Sequence, residues 1–272
     1  AAAPSPSGSV TAGVSAMTVS RVINQSGPVR EETRDRVLEA VQRLGYSPNI
    51  AARNLATGEP TQIGMLYANP SAVYLSQFLI GALGRARRAG CHLLIEPCEE
   101  DTEQAQRQAA RDFAGMRVEG VLLPPPLSGS SAVTEELTAC GIPFACVGAV
   151  AGPLAVRIDD FGAAQAMTEY LIGLGHRRIG FIRGHPNLRA SEQRWLGFRA
   201  ALEAHGIDDS GISVEQGYFT YASGLAAARK LLEAPQRPSA IFASNDDMAA
   251  ATVGVAHRRA LRVPEDLSVV GF

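Results

Sequence analysis

The stretch AGVSAMTVSRVIN, Ala12 to Asn24, is the one around which the rest of the chain is arranged. Ala12 and Gly13 form a small, turn-permissive pair, and Ser15 is a good helix N-cap. The following residues set Met17, Val19, Val22 and Ile23 among small and polar neighbours, which reads as a short helix entered through a tight turn. Its polar set is Ser15, Thr18, Ser20 and Arg21, all short or forked donors, with Ala16 and Met17 at the helix start. Short side chains let a helix lie deep in a DNA major groove, where Ser and Thr reach phosphates and bases and Ala or Met meets a thymine methyl. On these residues alone an ordinary small amphipathic helix is the alternative.

Downstream, the turn QSGPV leads into REETRDRVLEAVQRLGY, Arg30 to Tyr46, where Val37, Leu38, Val41 and Leu44 recur at helical spacing. This is a charged amphipathic helix closed by Gly45. The segment SPNIAARNLATG, Ser47 to Gly58, is too short to be a stable helix alone in water. Upstream, Ala1 to Thr11 carries two prolines and no large apolar residue except Val10, a poor helix interior. It also lacks the basic start and apolar core of a secretory signal.

The chain has 272 residues, of which 46% are hydrophobic, so it can form a small head plus a large two-lobed core, and it is too polar for membrane spans. A net charge of −2 argues against a binder that is basic all over. In the first sixty residues Arg21, Arg30, Arg34, Arg36, Arg43 and Arg53 face Glu31, Glu32, Asp35, Glu39 and Glu59, leaving the head at +1. That is a modest electrostatic footprint for nucleic acid, which dimerisation would double. Cys91, Cys98, Cys140 and Cys146 show no C-x-x-C spacing and read as core or near-core thiols of a reducing cytosol. The histidines are scattered, and His176 in LGHRRIGFI reads as a capping or turn residue rather than a ligand. No metal or cofactor is expected.

Beyond Thr61, candidate strands at 62–67, 92–96, 120–123, 143–147, 156–159, 178–183, 214–217, 240–243 and 267–271 alternate with helical patterns at 76–89, 102–115, 131–139, 163–174, 191–205, 222–233 and 247–259. Near-continuous apolar strands between amphipathic helices predict parallel sheets covered on both faces. About nine strands, with a change of character near Gly175, fit two doubly wound lobes better than one sheet.

The head resembles the DNA-binding head of the LacI/GalR family of bacterial transcription regulators. The matching residues are Gly13-Val14-Ser15, Thr18-Val19-Ser20-Arg21-Val22, Thr33-Arg34, Arg36-Val37-Leu38, Leu44-Gly45-Tyr46, Pro48-Asn49, and Ala52-Arg53 with Leu55. The likeness continues through IDDFGAAQAMTEYLIGLGHRRIGFI, SEQRWLGFRAAL, PSAIFASNDDMAAA and VPEDLSVVGF, and covers nearly the whole chain. It implies an α/β chain: an all-α helix-turn-helix head over 1–46 and a hinge over 47–60. A two-lobed effector domain of periplasmic-binding-protein type would follow over 61–272, with lobe 1 at about 61–159 and lobe 2 at about 160–272.

The resemblance implies roles for individual residues. Ser15 to Val22 would be the recognition helix, with Ala16, Met17 and Arg21 toward base edges and Thr18 and Ser20 near phosphates. Asn24, Asn49 and Ala52 would join these DNA contacts. Asn49 to Leu55 would fold on DNA beside its copy from a second subunit, with Leu55 wedged into the minor groove. An apolar wedge suits that task, because opening a base step is offset by the contact a bent duplex allows. Two departures stand out. The family opens with a helix that Ala1 to Thr11 resembles poorly, so weak DNA binding or a different N-terminus is expected. Leu267 to Phe272 reads as a strand with no covering helix after it, so truncation by some tens of residues is expected.

Open α/β sheets bind ligands at strand ends, which makes Asn69, Tyr74 and Asp159 candidates on the first lobe and Arg194, Phe219, Asn245 and Asp246 on the second. Carboxylates and amides bind hydroxyl pairs, Arg supplies a fork, and aromatic faces cover sugar C–H surfaces. Five of the seven have a plainer alternative: a salt bridge for Arg194, a helix cap for Asn245-Asp246, a core ring for Tyr74 and a turn for Asn69. The expected function is that of a cytoplasmic homodimeric repressor. It would bind a pseudo-palindromic double-stranded DNA operator, and a small effector, a sugar or sugar derivative, would switch its affinity. The alternative is a sugar-binding protein of periplasmic-binding type without working DNA binding. An enzyme is not expected: there is no G-x-G-x-x-G after a strand, no Walker loop and no G-x-S-x-G elbow.

Overall fold

The computed structural model describes residues 13–23, 28–43, 61–69, 71–98, 102–116, 118–148, 154–208, 210 and 212–272. The expected hinge lies outside the described residues, and so do Ala1 to Ala12, Asn24, Asn49, Ala52 and Leu55.

In the head, helix α1 spans Ala16–Ile23 and helix α2 spans Glu31–Arg43. Ser15 Oγ accepts a hydrogen bond from the Thr18 amide at 3.2 Å, so the expected N-cap forms. Val19 and Val22 bury themselves against Val37 and Ala40, with Val14 and Val29 at the edge. Met17 on the same helix is 66% exposed and Arg21 is exposed, so the face opposite this small core is open.

The first sheet is parallel and five-stranded. Its strands are β1 Thr61–Tyr67, β2 Cys91–Pro97, β3 Gly120–Leu123, β4 Phe144–Val147 and β5 Ala155–Val156, in the order β2-β1-β3-β4-β5. The crossover helices are α3 Ala72–Ala89, α4 Glu103–Ala114 and α5 Ser131–Ala139, each entered through a hydroxyl cap from Ser71, Thr102 or Ser130. Leu66, Phe113, Val121, Leu123 and Leu137 form the lobe's core. Gly64 is needed for the close approach of α4, because a Cβ there would stand 2.3 Å from the Phe113 ring.

The second sheet comprises β6 Ile179–Arg183, β7 Ile212–Gln216, β8 Ala240–Ala243 and β9 Ser268–Val270, in the parallel order β7-β6-β8-β9. Its helices are α6 Asp160–Gly173, α7 Arg189–Ala204, α8 Tyr221–Glu233 and α9 Asp246–Arg258. Alternation along the strands assigns the two faces. Ile179, Phe181, Ala240 and Phe242 pack with Leu171 and Phe198 from α6 and α7. Ile182, Ile241 and Ala243 pack with Leu231 and Val255 from α8 and α9. The near-continuous apolar run of the central strands β6 and β8 is what a sheet covered on both sides requires. The Phe181 ring lies 4.6 Å from Phe198 and 5.4 Å from Phe242, centroid to centroid.

Two expectations need correction. The strand expected at 156–159 ends at Val156, because Asp159 turns the chain and caps α6, accepting from the Gly162 amide at 2.9 Å. Cys98 and Cys146 are buried but Cys140 is exposed, since it sits at the C-terminal end of α5, facing solvent. His176 does sit in the turn that closes α6, its amide donating to the Leu171 carbonyl at 3.2 Å, and its ring adds a cross-link: Nδ1 lies 2.8 Å from Ser239 Oγ and Nε2 3.0 Å from Ser268 Oγ, tying the entrances of β8 and β9 together.

Candidate functional site

In each sheet the first strand has neighbours on both sides whose connections run in opposite directions, β1 between β2 and β3, and β6 between β7 and β8. Loops leaving such a switch point diverge and open a crevice at the carboxyl ends of the strands. A cavity of about 430 Å³ lies there, lined from the first lobe by Asn69, Ser71, Val73, Tyr74 and Pro125, and by Ile158 from the crossover. The second lobe contributes Leu188, Ala190, Arg194, Phe219, Asn245, Asp246, Asp247 and Phe272. Six of the seven residues chosen from sequence therefore share one cavity. Asp159 does not line it, its carboxylate being taken by the α6 cap.

Arg194 is the cavity's cation and is heavily committed. Nε and Nη2 approach Asp160 Oδ1 at 2.9 and 2.8 Å, and Nη1 donates to the Ser244 carbonyl oxygen. Its guanidinium carbon lies 3.5 Å from the centroid of the Phe272 ring and 5.7 Å from that of Phe219. Burial pulls its pKa below the ordinary value while Asp160 opposes the shift. The salt-bridge alternative is thus realised, and it leaves the guanidinium on the cavity wall. Neither partner is more than 13% exposed. In such a buried pair desolvation cancels much of the attraction, but removing one member leaves a buried charge.

Both asparagines are structural as well as cavity-lining. Asn69 Nδ2 donates to the Pro125 carbonyl at 2.9 Å and Oδ1 accepts from the Ser71 amide at 2.9 Å. Asn245 Oδ1 caps α9 through the Met248 amide, and Nδ2 donates to the Phe219 carbonyl at 3.0 Å. Each amide keeps one hydrogen and one lone pair for a ligand. Phe219 itself has φ 60, a left-handed conformation, and its ring lies flat on Gly184, where a Cβ would stand 2.0 Å away.

Tyr74 reaches in from α3 with 37% of its surface exposed. Burial raises its pKa, the Asp160 charge adds to the rise and Arg194 opposes it, so its hydroxyl remains a donor at neutral pH. The Asp246 carboxylate makes no hydrogen bond or ion pair among the described residues, and its charge acts on Arg194 across the cavity. Sequence reasoning missed Asp160, Asp247 and Phe272. For Asp160 a signal existed in the Asp159-Asp160 doublet, where the first residue caps α6 and the second faces back toward α7. Among the described residues no cluster could hold a metal ion, and no helix is long and apolar enough to cross a membrane.

On the head, Ser15, Met17 and Arg21 are exposed along the face opposite the Val19–Val22 core, and Thr18 is half-buried with its Oγ1 2.9 Å from Ser15 Oγ.

Comparison with known proteins bears on both regions. Residues 10–49 match the bacterial regulatory proteins of the lacI family, and residues 168–272 match the periplasmic binding protein-like domain. The HTH-type transcriptional regulator AscG of Escherichia coli (strain K12) is 33% identical over 266 residues, which is 96% of this chain and 79% of AscG. A solved complex of the transcriptional regulator CelR with cellobiose superimposes with a TM-score of 0.65 at 31% identity, covering 97% of this chain and 81% of CelR. The Lac repressor dimer bound to operator and the anti-inducer ONPF gives a TM-score of 0.67 at 27% identity, over 97% of this chain and 80% of that one. These relatives are transcriptional regulators rather than enzymes. A helix-turn-helix head joined to a two-lobed ligand-binding core, with sequence identity running through both, places the chain in the LacI family of DNA-binding transcriptional regulators.

Proposed function

We propose that this chain is a cytoplasmic, homodimeric repressor whose operator affinity is set by a carbohydrate held in the cavity between its lobes, and that it has no catalytic activity. The observation that carries the reading is the convergence of Asn69 and Tyr74 from one lobe with Arg194, Phe219, Asn245 and Asp246 from the other on one cavity. Its walls are chiefly apolar and aromatic, with a few polar groups, as suits the C–H faces and hydroxyls of a pyranose. At about 430 Å³ the cavity falls within the range of about 300–1,000 Å³ usual for small-molecule sites, a size that suits a mono- or disaccharide. The CelR complex holds cellobiose, a ligand of this size.

In this reading 1–46 is the DNA-binding unit, 47–60 the hinge and 61–272 the effector unit. Ser15, Ala16, Met17, Thr18, Ser20, Arg21 and Asn24 meet the major groove, while Asn49 and Ala52 support the Leu55 wedge. A ligand bridging Tyr74 and Arg194 draws the lobes together, shifts the first lobes of the two subunits and alters the pairing of their hinges. Coupling of about 1–3 kcal/mol would change operator affinity by about 5- to 150-fold.

The test is selection of duplexes from a randomised DNA pool by the wild-type chain and by Leu55→Ala, with and without a panel of neutral disaccharides. Enrichment of a pseudo-palindrome that Leu55→Ala loses and one sugar modulates supports the reading. Enrichment that no sugar alters removes the effector half, and no enrichment removes the operator half.

A further inference from the structure

We infer that the cavity accepts uncharged sugars and rejects their phosphorylated forms, with the Asp246 carboxylate as the discriminating group. This rests on the carbohydrate reading above and narrows its ligand class.

The charge balance of the cavity carries the argument. A phosphoryl group is held by an unengaged guanidinium fork, a lysine or exposed helix-terminal amides. The guanidinium of Arg194 commits three of its five N–H groups to Asp160 and the Ser244 carbonyl and stacks on Phe272, so its charge is already matched by Asp160 and its side-on fork is taken. Arg157 and Arg189 flank lining residues but are exposed and do not line the cavity. Three of the helix N-termini around the crevice are already capped: α3 by Ser71, α6 by Asp159 and α9 by Asn245. Among the described α-helices at the crevice, α7 enters without a side-chain cap, a partial charge of about +0.5.

Two carboxylates oppose that partial charge. Asp246 and Asp247 occupy the first turn of α9 and both line the cavity. The Asp246 carboxylate lies close over Gly271, just past β9, where a Cβ would stand 2.1 Å from its Oδ1. A phosphate monoester brings a charge of about −1.5 to −2 into a partly enclosed space beside these groups, where like-charge contact is strongly unfavourable. A neutral sugar instead donates a hydroxyl to Asp246, satisfying its unpaired oxygens, while Tyr74, Phe219 and Ile158 cover its apolar faces.

The experiment is titration calorimetry of the full chain against matched pairs: cellobiose and cellobiose 6′-phosphate, trehalose and trehalose 6-phosphate, glucose and glucose 6-phosphate. The same titrations are run on Asp246→Asn and Asp246→Glu. For every pair that binds, the neutral member is expected to bind the wild type at least about tenfold tighter. Asp246→Asn should shrink that ratio at least about threefold, and Asp246→Glu should preserve it. A phosphorylated member binding as tightly as its neutral partner, or a ratio unchanged in Asp246→Asn, overturns the inference while leaving the carbohydrate reading standing. Failure of every sugar, neutral or phosphorylated, to bind any variant overturns the carbohydrate reading and this inference with it.

Discussion

Replacing Gly197 by alanine should loosen the second lobe and weaken its grip on ligand together. Gly197 lies in α7, where a Cβ would stand 2.2 Å from the Phe161 carbonyl oxygen and 3.0 Å from the Gln165 amide nitrogen of α6. Both obstacles are backbone, so no side-chain rotation relieves the clash and α7 must withdraw from α6. Overpacking of this kind costs about 1–3 kcal/mol, and a backbone obstacle puts it at the upper end. Alanine returns about 1 kcal/mol of helix propensity, leaving a net loss of about 2 kcal/mol. At about 2–4 °C per kcal/mol for a chain of this size, Tm should fall by about 4–8 °C. Arg194 lies three residues earlier on α7 and its partner Asp160 begins α6, so the same withdrawal pulls their ion pair apart. Thermal denaturation followed by circular dichroism, paired with sugar titration, checks both effects. A variant as stable as the wild type would refute the close-contact reasoning. A destabilised variant with unchanged sugar affinity would refute the link to Arg194.

Three other perturbations have definite outcomes. Arg194→Met should cost about 3–5 kcal/mol in urea denaturation by leaving Asp160 buried and unpaired, whereas the double change with Asp160→Leu should regain much of that stability without regaining sugar affinity. Val37→Ala, at a position 1% exposed in the small head core, should cost about 2 kcal/mol and abolish operator retention in a mobility-shift assay while sugar titration is unaffected. Burial holds the His176 pKa below its ordinary value; the unfolded value, about 6.5, is therefore the higher one. The stability this supplies is complete above pH 6.5 and is lost as the pH falls through 6.5 toward the folded value. Urea midpoints at pH 7.5 and 5.5 should accordingly differ less in His176→Asn than in the wild type.

What the sequence disclosed follows from how local each signal is. Strands β6 and β8 are apolar at nearly every position, which reports burial on both faces and hence a parallel sheet. Helix starts were read less well. The pattern at 76–89 missed the first turn of α3 because Ala72 and Val73 carry little periodicity, while the Ser71 cap that fixes the start is a single hydroxyl. Six cavity residues were legible because they lie on the loops and helix starts that follow the carboxyl ends of strands placed by their apolar runs, where open α/β sheets bind ligands. Asp159 and Asp160 were not separable: which of two adjacent carboxylates caps and which faces Arg194 depends on where the helix begins to the residue. The Ser239 and Ser268 partners of His176 stand 63 and 92 residues away, beyond any local pattern.

Phe219 holds a left-handed backbone that costs a residue other than glycine about 1–2 kcal/mol. The Asn245 amide holds its carbonyl, and its ring closes the gap above Gly184. A substitution there would disturb the turn, the α9 cap and the floor of the cavity at once. Val73 and Tyr74 on the opposite wall are under no such joint constraint: both are exposed, and neither side chain holds a turn or a cap. As descendants of this chain acquire new effectors, the second lobe should therefore keep its shape and the start of α3 should carry the variation. The first lobe would be the part that evolution retunes.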